Sequence, residues 1–107
     1  MVAVGTVHHV AWRVADGASQ KTWRAKIVDR GVAVTNVLDR KCFTSIYFRE
    51  PGGVLFEIAT DPPGFAIDES PEELGTGLML PPWLEPRRRS LESTLPRVTA
   101  PRFARAA

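Results

Sequence analysis

A Glu50-Pro51-Gly52-Gly53 turn lies between two runs rich in strand formers, residues 43–49 and 54–59. Proline fixes one backbone dihedral and glycine admits positive φ, so the two runs are expected to fold back on each other as antiparallel strands. Two further extended segments, residues 7–14 and 32–38, bracket a single helical segment at residues 18–30. Asp16-Gly17 breaks the first of them, and Gly31 stops the helix. Trp23 and Ile27 are four apart and share the helix stripe suited to covering a sheet. The order is βαβββ and the class α+β. One helix covers one face of such a sheet, and the other face must curve over a ligand or be closed by another unit.

Strand parity decides which side chains share a face. His9, Ala11 and Arg13 fall on one side of the first strand, with His8, Val10, Trp12 and Val14 on the other. In the last strand Leu55, Glu57 and Ala59 oppose Val54, Phe56 and Ile58. Glu57 therefore sits in an otherwise apolar segment, where a dry, unpaired carboxylate costs several kcal/mol and must meet a cation, a metal or water. A salt bridge to Arg13 or Arg49 would satisfy it as well as a metal would. His9 and Glu57 supply two thirds of the 2-His-1-carboxylate set that holds a divalent first-row metal. A lone histidine on a strand is more often a structural or surface residue than a ligand. His8 is the only other histidine, and parity places it across the sheet from His9.

The pattern changes after Thr60. Asp61-Pro62-Pro63-Gly64-Phe65 ends the strands, because prolines remove donors from a ladder. Ser70-Pro71-Glu72-Glu73 has the form of a capping box for a short helix, and residues 86–95 form a second helical segment with Leu91 and Leu95 on one stripe. The organisation expected is a βαβββ unit at residues 1–65, a short helical extension at 66–95 and a disordered tail at 96–107.

At 107 residues the chain is one domain or a piece of one. Its single cysteine, Cys42, excludes an internal disulfide framework and fits a reducing, cytoplasmic setting; no apolar run suggests a membrane span. The net charge of +2 does not mark a nucleic-acid partner. Arg87, Arg88, Arg89, Arg97, Arg102 and Arg105 all follow the sheet segments, as a solvated helix face and tail, without aromatic platforms or a groove-reading helix.

Longer stretches carry a resemblance. These are Gly5-Thr6-Val7-His8-His9-Val10-Ala11-Trp12-Arg13-Val14, Asp39-Arg40-Lys41, and Ser45-Ile46-Tyr47-Phe48-Arg49-Glu50-Pro51-Gly52-Gly53-Val54-Leu55-Phe56-Glu57-Ile58-Ala59 with its continuation to Phe65. Glu72-Glu73-Leu74-Gly75, Leu80-Pro81-Pro82-Trp83 and Glu85-Pro86-Arg87 extend it. Together they resemble the C-terminal part of ring-cleaving dioxygenases of the vicinal oxygen chelate superfamily, nearest to the hydroquinone 1,2-dioxygenase type.

The resemblance implies a vicinal oxygen chelate unit in which His9 and Glu57 are metal ligands to Fe(II), with Mn(II) or Ni(II) as alternatives. It implies that a second histidine ligand lies in sequence outside this chain. It also implies a dihydroxylated aromatic substrate and O2. His8, Tyr47 and Arg40 are carried over as catalytic or substrate-contacting residues: His8 and Tyr47 for acid–base help, Arg40 for developing negative charge. Three arrangements follow. The chain is a fragment or subunit of such an enzyme, completed by a separate N-terminal portion; or a homodimeric glyoxalase-like metal enzyme with two His9 and two Glu57 residues; or a non-enzymatic binding protein like the bleomycin-resistance members, with Trp12, Tyr47 and Phe48 lining an aromatic cleft.

Overall fold

In the computed structural model, which describes residues 3–99, the strands and helix follow in the expected order. β1 (Val10–Val14), β2 (Leu38–Asp39), β3 (Thr44–Arg49) and β4 (Leu55–Thr60) form one sheet in the order β1-β4-β3-β2. β1 runs parallel to β4, and the other neighbours are antiparallel. α1 (Gly17–Asp29) connects β1 to β2. The chain divides into two compact units after Ile67. No helix among the described residues is long and apolar enough to cross a membrane.

α1 starts where its first turn finds an acceptor. Asp16 is its N-cap, and its Oδ1 accepts the Ser19 N–H at 2.7 Å. The helix ends as Gly31 turns to φ 77°, a left-handed conformation that suits glycine, and donates to the Val28 carbonyl at 2.8 Å. The most buried helix residue is polar: Gln20, 1% exposed, donates to the carbonyls of Thr44 and Ile58 and accepts from the Thr44 hydroxyl. Three bonds from one amide thus fix the helix on β3 and β4. Trp23 and Ile27, on the same stripe, stand further out and line an apolar cavity of about 340 Å³ with Trp12, Phe48, Phe56 and Ile58.

The face assignments follow the register. Ile46 pairs with Ile58 and Phe48 with Phe56 across β3 and β4, and Phe56 meets Trp12 and Phe48 edge-on at ring distances of 5.9 and 5.7 Å. Ile46 is fully buried and Ile58 is 6% exposed. On the opposite face Glu57 lies between Tyr47 and Ala11.

Four elements are shorter than the sequence suggests. β1 begins at Val10, so His8 and His9 precede the ladder. The segment at residues 32–38 pairs regularly only at Leu38–Asp39, although Val34 bridges Phe48 and the Thr35 N–H donates to Tyr47 O at 3.0 Å. There the Thr35 hydroxyl, not its carbonyl, takes the Tyr47 N–H, which interrupts the ladder. In the second unit the Ser70-Pro71-Glu72-Glu73 motif closes only a turn, with the Glu73 N–H donating to Ser70 O at 3.0 Å. Gly75, at φ 77°, stops it before a helix can nucleate. α2 (Arg88–Thr94) follows a 3-10 turn at Pro82–Arg87, since Pro86 offers no N–H to an α-helix. Arg88 ties this unit together by bonds to Glu85, Glu92 and the Leu78 carbonyl. The disordered tail expected at residues 96–107 lies outside the described residues from residue 100 onward.

Three carboxylates in the first unit sit below their ordinary range. Backbone N–H bonding at Ser19 lowers Asp16, the N–H groups of Gly52 and Val54 lower Glu50, and the Arg13 guanidinium lowers Asp61. A depressed folded-state value contributes stability that is complete above the unfolded value, about 4, and is lost as pH falls through the folded one. Melting temperature is therefore expected to hold at neutral pH and fall on acidification below about pH 4. Asp16→Asn keeps the cap acceptor but cannot titrate, so its acid limb in a pH series of thermal melts should be shallower than that of the wild type; identical limbs would count against this assignment.

Candidate functional site

β4 places Glu57 at the centre of the sheet, and its side chain is 6% exposed. Such a carboxylate needs partners in every direction it can accept. The first oxygen, Oε1, accepts from the Ser45 hydroxyl and, at 2.9 Å, from the Tyr47 hydroxyl, both on β3. The second, Oε2, lies 3.0 Å from His9 Nε2. The two arginines that could have paired with Glu57 are engaged elsewhere: Arg13 Nε bonds both oxygens of Asp61 at 2.7 and 2.9 Å, and Arg49 donates to the Gly53 carbonyl.

Around this carboxylate the other expected residues converge. Tyr47 donates its proton to Glu57, and its oxygen accepts from Arg40 Nε at 3.2 Å. The Arg40 guanidinium also lies over the Tyr47 ring, 5.2 Å from its centre. The tight turn between β2 and β3 sets Arg40 there: its N–H donates to Phe43 O, and Lys41 takes a left-handed φ of 68° while donating to Asp39 Oδ1.

His8 does not lie across the sheet from His9. The two Nδ1 atoms are 2.8 Å apart and the rings meet edge-on at 5.0 Å. Strand parity fails because neither residue belongs to the ladder, which starts at Val10. One of the two Nδ1 atoms must carry the proton of this contact, so the tautomers are coupled. When His9 Nε2–H donates to Glu57, His9 Nδ1 accepts from His8. When Nε2 offers its lone pair to a cation, the proton moves to His9 Nδ1 and His8 Nδ1 accepts.

The pair of donor atoms fits a first-row metal. His9 Nε2 and Glu57 Oε2 lie 3.0 Å apart, close enough for one cation to meet both. Imidazole nitrogen and carboxylate oxygen are also the donor types such ions take. Among the described residues, no group of three or more His, Cys, Asp or Glu is arranged to hold a metal ion. Ser45 is the participant that sequence reading passes over. The turn at residues 50–53 pairs residue 45 with 59 and 47 with 57, so a register count alone sets Ser45 and Tyr47 on the Glu57 face.

The sequence pattern of the Glyoxalase/Bleomycin resistance protein/Dioxygenase superfamily matches residues 3–58 of the chain. The chain belongs to this superfamily. Its relatives include MhqO and MhqE of Bacillus subtilis (strain 168), both provisionally named ring-cleaving dioxygenases. They are 53% identical over 94 residues and 52% identical over 92 residues, covering 88% and 86% of this chain. The chlorohydroquinone/hydroquinone 1,2-dioxygenase of Sphingobium indicum is 44% identical over 85% of the chain. A crystal structure of a provisionally named dioxygenase from Bacillus subtilis subsp. subtilis str. 168 superposes with a TM-score of 0.85 at 50% identity, over 92% of this chain and 32% of that one. This superfamily member spans only 28–30% of the length of these curated relatives.

Proposed function

We propose that this chain supplies the carboxylate half of a metal centre in a ring-cleaving dioxygenase, with His9 and Glu57 as two ligands to Fe(II) and Mn(II) or Ni(II) as substitutes. The observation that carries this reading is the 3.0 Å approach of His9 Nε2 to the one oxygen of buried Glu57 that no hydroxyl occupies. The third ligand comes from another segment of a longer protein, in keeping with the chain's 28–30% share of its relatives, or from a second copy. The relatives' names point to a hydroquinone-type aromatic substrate, with O2 as co-substrate. The metal, when bound, supplies the electron transfer that incorporation of O2 into a ring requires.

The chain's own residues orient and balance charge. Arg40 places positive charge beside the site for an anionic ring oxygen. Tyr47 couples that charge to Glu57 by its hydroxyl. His8 fixes the ring and tautomer of His9, as an outer partner does for a ligating imidazole, and exchanges a proton with it. The lone Cys42 thiol accords with a cytoplasmic site of action.

The test is a graft in which residues 3–95 replace the matching segment of MhqO. It is expected to bind one iron per chain and to consume oxygen with hydroquinone. His9→Ala should lose both by more than the roughly 10–100-fold typical of outer-shell changes. A folded graft that keeps its iron and its oxygen uptake after His9→Ala would defeat the proposal.

A further inference from the structure

The hydroxyl of Ser45 enters no turn, cap or ladder. Ser45 is fully buried, and its Oγ bonds Glu57 Oε1. An ionised carboxylate only accepts, so both Ser45 and Tyr47 must donate to that oxygen, and the direction of each O–H is fixed. Oε1 is thereby occupied by two donors from one strand, two residues apart. Rotation of the carboxylate would break both bonds, leaving the buried Ser45 hydroxyl and the part-buried Tyr47 hydroxyl without their acceptor. Oε2 is the oxygen left facing His9 Nε2 at 3.0 Å.

We propose that Ser45 is a positioning residue which, with Tyr47, restricts Glu57 to binding a cation through Oε2 alone. This rests on the metal reading of His9 and Glu57. A carboxylate free to turn can offer both oxygens and take two coordination positions; one pinned at Oε1 takes one, and a further position stays open to an external ligand. Ser45 acts through Glu57 and touches neither metal nor substrate.

Two measurements test this. The sequence holds a single tyrosine, so a ring-labelled chain gives one ¹³Cζ resonance, which reports the Tyr47 hydrogen bond without metal. In the full chain Ser45→Ala should shift that resonance, because the carboxylate is released, and Ser45→Thr, which keeps the hydroxyl, should restore it. An unmoved resonance in Ser45→Ala overturns the pinning. In the graft, Ser45→Ala should weaken Mn(II) binding about 10–100-fold with Ser45→Thr close to wild type. Equal affinity for wild type and Ser45→Ala, with Glu57→Gln impaired, overturns the positioning role and leaves the metal reading standing. Equal affinity in Glu57→Gln removes the metal reading, and Ser45 then positions Glu57 for no cation.

Discussion

Ile46→Ala is expected to lower the unfolding free energy by about 2–5 kcal/mol, the range for truncating a buried isoleucine. Ile46 is fully buried at the middle of β3 and pairs across the ladder with Ile58, itself 6% exposed. Neither neighbouring strand, β4 or β2, can close over the gap without breaking its register with β3. A domain of this size has about 5–15 kcal/mol of stability in total, so the loss is a large share. Phe56→Ala should cost less although it removes more atoms, since Phe56 is only half-buried and borders an existing cavity of about 340 Å³. Urea unfolding of the two variants decides the matter: an Ile46→Ala loss below about 1 kcal/mol, or a larger one for Phe56→Ala, would contradict this picture of the core.

Much of the fold is legible because local signals agree with it. The Pro-Gly-Gly turn, the Asp16-Gly17 break and the Gly31 stop each act within a few residues, and the structure places the hairpin and helix where they indicate. The Glu57 face is right for the same reason, since period-2 alternation needs only a correct strand. What sequence leaves out is non-local. That Gln20, not Trp23, is the buried helix residue depends on carbonyls of β3 and β4 that lie 24 and 38 residues away. The Thr35 hydroxyl that interrupts the pairing of residues 32–38 competes with a backbone group, which no strand propensity registers. The Ser70 motif fails as a helix start because a left-handed Gly75 follows too soon.

In the site the same division holds. His9 and Glu57 are brought together by parallel pairing of β1 with β4, a long-range contact that resemblance suggests and spacing alone does not. Parity places His8 on the wrong side because it holds only inside a ladder, and β1 starts one residue after His9. Ser45 was legible in principle, by counting outward from the turn, but a serine in a strand gives no signal of its own. Its meaning comes only from the carboxylate beside it.

Glu57→Gln is expected to separate the two roles of that carboxylate. The amide oxygen can still accept from Ser45 and Tyr47, so the metal-free protein should lose only about 1 kcal/mol or less, the scale of one altered hydrogen bond. Glu57→Ala, by contrast, strands the buried Ser45 hydroxyl and the part-buried Tyr47 hydroxyl and should cost more, at about 1–3 kcal/mol for the buried donor left unpaired, less whatever is regained by removing a buried charge. Towards His9, the glutamine presents N–H groups or a neutral oxygen in place of an anionic one, and a divalent ion bound as proposed would lose its one charged ligand from this chain. A cation that binds the folded state alone stabilises it by about 2.7 kcal/mol at 100 times its Kd. Wild-type graft melted with Fe(II) or Mn(II) at that excess should show this gain, and the Glu57→Gln graft at the same concentration should show almost none of it. A glutamine graft that the metal stabilises as strongly as wild type would mean that Glu57 is held by Ser45, Tyr47 and His9 for the fold and not for a metal.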